Sequence, residues 1–141
     1  MKYLIIDTWN GEGYSESGII DIATTEAEAI QKIIKEFAER YVSMTEDFKC
    51  EWMQGKAISF DNGTDQGCVQ YLEVGIDDRY VIINPHENEA KVTSDSFNLI
   101  KMMLTDMGST KEDIETLEQD ILQTEHGIIE HNNGELIIQK I

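Results

Sequence analysis

The order of apolar and polar positions in the first forty residues predicts a β-hairpin followed by a helix. From Lys2 to Thr8, Tyr3, Ile5 and Asp7 alternate with Leu4, Ile6 and Thr8. The β-branched content of that run predicts a strand buried largely on both faces. Gly11 and Gly13 break the run, and Tyr14 to Ala23 returns with Ile19, Ile20 and Ile22 at its apolar centre, so residues 2–23 read as a hairpin. Thr25 with Glu28 three positions on is a capping box. Ala27, Ile30, Ile33, Ile34, Phe37, Ala38 and Tyr41 follow at helical spacing and predict one continuous apolar stripe.

Beyond a polar connection at Ser43 to Lys49, strands are expected over Glu51 to Phe60 and Cys68 to Val74, around the turn-forming run Asp61-Asn62-Gly63-Thr64-Asp65-Gln66-Gly67. Arg79 to Ile83 reads as a short strand, and Pro85 to Glu89 as exposed loop. Thr93 or Ser94 is the expected cap of a second helix, with Phe97, Ile100, Met103, Leu104 and Met107 inward and Gly108 as its stop. Ser109 with Glu112 would open a third, carrying Ile114, Leu117, Ile121 and Leu122. The chain closes on two strands around Asn132-Asn133-Gly134, a strong hairpin signal. The resulting order, ββαβββααββ, predicts a single α+β domain spanning residues 1–141. It would consist of a mainly antiparallel sheet built from hairpins, with about three helices packed on one face.

Charge narrows the functional classes. The 141 residues carry 28 Asp and Glu against 11 Lys and Arg, a net charge of −17. Direct binding to nucleic acid needs clustered cations, which are too few here, and the same repulsion acts against anionic membranes. No apolar run is long enough to span a bilayer, and the opening residues read as a strand rather than a signal peptide, so a cytoplasmic protein is expected. Cys50 and Cys68 fit no zinc or redox spacing and are expected as free thiols.

The densest set of recognition groups is the expected turn Trp9-Asn10-Gly11-Glu12-Gly13-Tyr14-Ser15. Indole and phenol faces stack on planar rings such as nucleobases, and Asn10, Glu12 and Ser15 could read their edges. The bland alternative is a hairpin turn in which Trp9 and Tyr14 pair across strands. Arg79 is one of two arginines, placed at a turn-to-strand junction beside Tyr80, and would meet the charge of an anionic ligand. The Asp61 loop only faintly resembles a calcium loop. Position 6 would be Gln66 and position 12 Leu72, where an EF-hand needs glycine and glutamate.

His86, His126 and His131 each adjoin a carboxylate but show no convergent metal spacing, so neither metal nor cofactor is expected. No serine or cysteine lies in a nucleophile elbow, and the abundance of carboxylates makes any acid–base pair arbitrary.

These readings point first to a non-catalytic binding protein that captures a small planar, nucleotide-derived anionic ligand through Trp9, Asn10, Glu12, Tyr14, Ser15 and Arg79. The alternative is an acidic inhibitor that occupies the groove of a basic nucleic-acid-binding host protein. An enzyme of unrecognised class is the third. Small, motif-poor acidic domains are frequent among viral accessory proteins that counter a bacterial host's defences, and both binding readings fit that setting. Exposed sheet edges favour a homo-oligomer.

Overall fold

The computed structural model describes residues 2–11, 14–41, 49–53, 56–61, 63–131 and 134–141. It is an α+β chain in two compact units, Met1–Ile76 and Asp77–Ile141. The first unit contains β1 (Lys2–Gly11), β2 (Tyr14–Ala23), α1 (Glu26–Tyr41), β3 (Lys49–Met53), β4 (Ala57–Asp61) and β5 (Gln66–Val74). Its strands form one antiparallel sheet in the order β2-β1-β5-β4-β3. The second contains β6 (Tyr80–Asn84), a 3-10 turn (Pro85–Glu87), β7 (Glu89–Thr93), α2 (Phe97–Asp106), α3 (Lys111–Thr124), β8 (His126–His131) and β9 (Gly134–Lys140). These strands form a second antiparallel sheet, ordered β7-β6-β9-β8.

The expected α+β fold, antiparallel hairpin-built strands with three helices, is present, and its strands divide into two sheets, one carrying α1 and the other α2 and α3. Both edges of β1 are taken by β2 and β5, and both edges of β6 by β7 and β9. Two strands escaped the sequence reading: the run Glu51 to Phe60 is two strands, β3 and β4, and Glu89–Thr93 pairs with β6.

In β1, Leu4, Ile5, Ile6, Asp7 and Thr8 are all buried, as the two-sided apolar run predicts. Ile5 meets α1 in a core with Ile33, Phe37, Tyr41, Ile58, Phe60, Val69 and Tyr71. A β-bulge shifts the β1–β2 register: Ile5 faces Asp21 and Ile6 faces Ile19, which leaves Ile20 as the extra residue. Such a residue is re-aimed by the local kink, and Ile20 packs against this core.

Helix α1 starts where the capping box places it. The Thr25 hydroxyl accepts from the Glu28 N–H at 3.1 Å, while the Glu28 carboxylate reaches back to the N–H and hydroxyl of Thr24 at 3.2 and 3.1 Å. These contacts, the Thr24 N–H first, hold the Glu28 carboxyl below its ordinary value. The buried stripe is narrower than expected, running through Ala29, Ile33, Phe37 and Tyr41 at intervals of one turn, with Ala27, Ile34 and Ala38 outside it. Lys32 leans from the helix onto the edge of β2. Its ammonium donates to the Ile22 carbonyl at 2.7 Å and lies 3.2 Å from Asp21 and 3.3 Å from Glu28.

In the second unit, α2 and α3 cover Ile82, Ile129, Leu136 and Ile138 with Ile100, Leu104, Ile114, Leu117 and Ile121. Their caps differ from expectation by one to three residues. Ser96, not Thr93 or Ser94, precedes α2, without a side-chain bond. Thr110, not Ser109, caps α3 by accepting from the Asp113 N–H at 3.2 Å. Gly108 does end α2. Its φ of +94° lets its own N–H reach the Thr105 carbonyl and the Ser109 N–H the Leu104 carbonyl, both at 3.0 Å. That pair of bonds is a Schellman closure.

Helix α3 ends less comfortably. Its C-cap, Glu125, sits in the left-handed region at φ 64° and puts a carboxylate at the negative end of the helix dipole. Replacing Glu125 by glycine is therefore expected to raise stability by about 1 kcal/mol, read as a higher urea midpoint with unchanged slope. An unchanged or lower midpoint would contradict this account of the cap.

Candidate functional site

The richest polar constellation in the first unit lies where the last turn of α1 meets β1. Strand alternation turns Tyr3, Ile5, Asp7 and Trp9 toward the helix. Asp7 is 8 % exposed, and its Oδ1 accepts from the Tyr41 hydroxyl at 2.5 Å. The Arg40 guanidinium approaches the other carboxylate oxygen at 3.6 Å and is tied to Glu36, one turn back, at 3.2 Å. A cation in the last helical turn is favoured by the helix dipole, and the Glu36–Arg40 spacing suits an i,i+4 pair. Burial, then the bond to the Asp7 carboxylate, pushes the Tyr41 phenol far above its ordinary range, so it keeps its proton and acts as donor. The cluster fastens the helix end to the sheet.

Cys68, in β5, is 2 % exposed and a free thiol. Burial first, and the negative charge of Asp7 second, push it up to about 12. A raised thiol pKa favours the neutral form, so this group is the reverse of an activated nucleophile. The contribution of the neutral thiol to stability is fully present below the unfolded-state value near 9 and is lost as pH rises toward about 12. Cys68→Ala is expected to flatten the alkaline loss of stability over that window, measured as urea midpoint against pH. A thiol reagent at pH 8 should leave Cys68 unlabelled until the chain unfolds; labelling at the rate of a free thiol would disprove its burial.

Trp9 and Asn10 lie inside β1, not in a turn, and Tyr14 and Ser15 lie in β2, with Gly11 opposite Tyr14 and Asn10 opposite Ser15. Where a turn was expected over Trp9 to Ser15, the strands instead stay paired through Asn10–Ser15 and Gly11–Tyr14. The backbone partner of Trp9 is Glu16, so Trp9 and Tyr14 are not directly opposed. Glu12 lies outside the described residues, as does Gly13.

Trp9 is partly buried against the α1 core, and its ring crosses Gly11. A Cβ there would come within 2.8 Å of the indole and collide with the Asp65 carboxylate. This end of the unit therefore gathers Trp9, Asn10 and Gly11 with Asp65 of the β4–β5 loop and Gln66 at the start of β5. Asp61, the last residue of β4, accepts from the Gly63 N–H at 2.8 Å and from the Gln66 side-chain amide at 3.2 Å. Arg79 belongs to the second unit. It is exposed, and its backbone N–H donates to Thr93 at 2.9 Å while its carbonyl accepts from Ile141 at 2.8 Å.

Asp7, Arg40 and Tyr41 escaped the sequence reading as a group. The available signal was Asp7 itself, a carboxylate in the middle of an apolar strand, which needs a donor when buried.

The electrostatics are uniform in sign. The first unit carries 14 Asp and Glu against 6 Lys and Arg, a net −8, and the second 14 against 5, a net −9. Several of the cations are engaged internally: Lys32 with Asp21 and Glu28, Lys35 with Glu39, Arg40 with Asp7 and Glu36, Lys101 with Glu118, and Lys111 with Glu115. Among the described residues, no three His, Cys, Asp or Glu side chains converge as metal ligands. No helix among them is long and apolar enough to cross a membrane. No protein-family model, curated protein or solved structure matches this chain.

Proposed function

We propose that this protein is a non-catalytic acidic binding protein that occupies the basic, nucleic-acid-binding surface of another protein. The observation that carries the reading is the distribution of charge. Both units are strongly negative, at −8 and −9, and five of the eleven cations lie in the ion pairs described above. A surface of one sign steers a partner of the other at long range and competes with the phosphate backbone for the same cations. Blunting a host's nucleic-acid-binding defence is a function that suits such a surface.

Capture of a planar nucleotide-derived ligand is a second reading, favoured by the partly exposed Trp9 indole at the end of β1. It receives less support for an anion. Arg40, the nearby guanidinium, is engaged by Asp7 and Glu36, and the group beside the indole is the Asp65 carboxylate.

The discriminating experiment is affinity capture from nuclease-treated bacterial lysate at about 50 mM salt, alongside native mass spectra with a panel of nucleotides and cyclic dinucleotides. The proposal expects retained proteins that bind nucleic acid and that about 0.5 M salt or added DNA releases, since screening weakens exposed charge contacts. Retention of nothing that DNA displaces overturns it. A nucleotide adduct lost in Trp9→Ala would instead establish the second reading.

A further inference from the structure

We infer that the helical hairpin α2–α3 of the second unit is the docking face for the basic partner, and that the partner presents a cationic amphipathic helix. This rests on the reading just proposed and names the surface that carries it.

The hairpin has more apolar groups than its core uses. Ile100, Leu104, Ile114, Leu117 and Ile121 point inward, each no more than 6 % exposed. Four further apolar side chains of the hairpin stand in solvent: Leu99 is 48 % exposed, Met102 63 %, Met107 38 % and Leu122 72 %. Leu99 and Met102 are three apart on α2, so they share one face of that helix. By contrast, α1, a helix of 16 residues, has Ile34 as its one large apolar side chain of comparable exposure. Flexible Met and Leu side chains on a helical surface adapt to the anchors of an incoming helix.

Charge decides the occupant. Residues 97–125 hold seven Asp and Glu against two Lys, a net −5, and each lysine stands beside one of those carboxylates. Lys101 is bound to Glu118 and stacked 5.7 Å over the Phe97 ring, and Lys111 lies 3.9 Å from Glu115. The exposed apolar groups are therefore set among uncompensated carboxylates such as Asp106, Asp113 and Asp120. A second copy of the chain would bring −5 against −5, and an anionic membrane or a nucleic acid would be repelled in the same way. A segment with leucine-like anchors on one side and Lys or Arg on the other satisfies both the apolar groups and the rim.

The test is anisotropy of labelled peptides titrated with the full chain at about 50 mM salt. The probes are an amphipathic Lys/Leu helix and a Lys/Ser peptide of equal charge. The variant is Met102→Gln with Leu122→Gln, both exposed and so tolerated by the fold, with circular dichroism as the check. Ile34→Gln on α1 is the control. Binding of the Lys/Leu peptide that falls at least about tenfold in the double variant but not in the control, and that exceeds Lys/Ser binding by a similar factor, is the expected result. Equal binding of the two peptides, or binding indifferent to the double variant, overturns the docking face while leaving a charge-driven basic partner standing. Failure of both cationic peptides to bind overturns the two readings together. A native dimer abolished by the double variant would make a second copy the occupant and also overturn the inference.

Discussion

Phe60→Ala is expected to destabilise the first unit by about 3–5 kcal/mol. Phe60 is 3 % exposed and fills a three-ring cluster, 4.7 Å from Tyr41 and 6.3 Å from Phe37 between centroids. Its backbone partner across the β4–β5 ladder is Gly67, and the ring lies over that residue. A Cβ on Gly67 would collide with the Phe60 ring and stand 3.0 Å from Tyr41 Cζ. Because these rings are buried, they have nowhere to swing, so Gly67→Ala is expected to cost about 1–3 kcal/mol by overpacking. The two sites are coupled: in a Phe60→Leu background, Gly67→Ala should cost less, since the ring it meets is gone. Urea titrations of the two single variants and the double variant measure the coupling. Strict additivity would show that Gly67 is not there to admit the ring.

In the second unit the corresponding result is Leu117→Ala, expected to cost about 2–5 kcal/mol. Leu117 is 1 % exposed and presses α3 onto β8, where Gly127 is the point of closest approach. A Cβ on Gly127 would lie 2.5 Å from Leu117 Cδ1 and 3.2 Å from Ile121 Cγ1. With the helix already close to the strand, little collapse can fill the space left by the leucine, which places the loss toward the upper half of that range. A loss below about 1 kcal/mol would mean that the helix can settle further onto the strand.

What was legible in the sequence was local. Thr25 and Glu28 announced α1, Gly108 announced the end of α2, and the apolar run Leu4 to Thr8 announced a strand buried on both faces, because each signal acts within a few residues. The break between β3 and β4 was hidden because Glu51 to Phe60 reads as one continuous strand. In β7 only Ala90 and Val92 are apolar, too few to distinguish an edge strand from a loop. The division into two sheets was hidden for a deeper reason. Alternation fixes which side chains share a face, but it does not say which strand lies alongside.

The site suffered similarly. Asp7 and Tyr41 are 34 positions apart and meet only through packing. Trp9, Asn10, Gly11, Tyr14 and Ser15 looked like a loop because aromatic and glycine residues serve equally well at the end of a tightly paired hairpin. Arg79 was grouped with them on chemistry alone, and it lies in the other unit.

Lys32 carries a consequence for behaviour at high concentration. Strand β2 is ten residues long and stands at the edge of its sheet, and Ile22, 48 % exposed, sits where the lysine caps a free carbonyl. An open edge beside an exposed isoleucine is a template for strand addition from a neighbouring molecule, the first step of fibrillar aggregation. One ammonium borrowed from the helix closes that end of the template. Acetylation of Lys32 would remove its charge and two of its hydrogens, turning this acidic protein toward polymerisation without altering a single residue of its core.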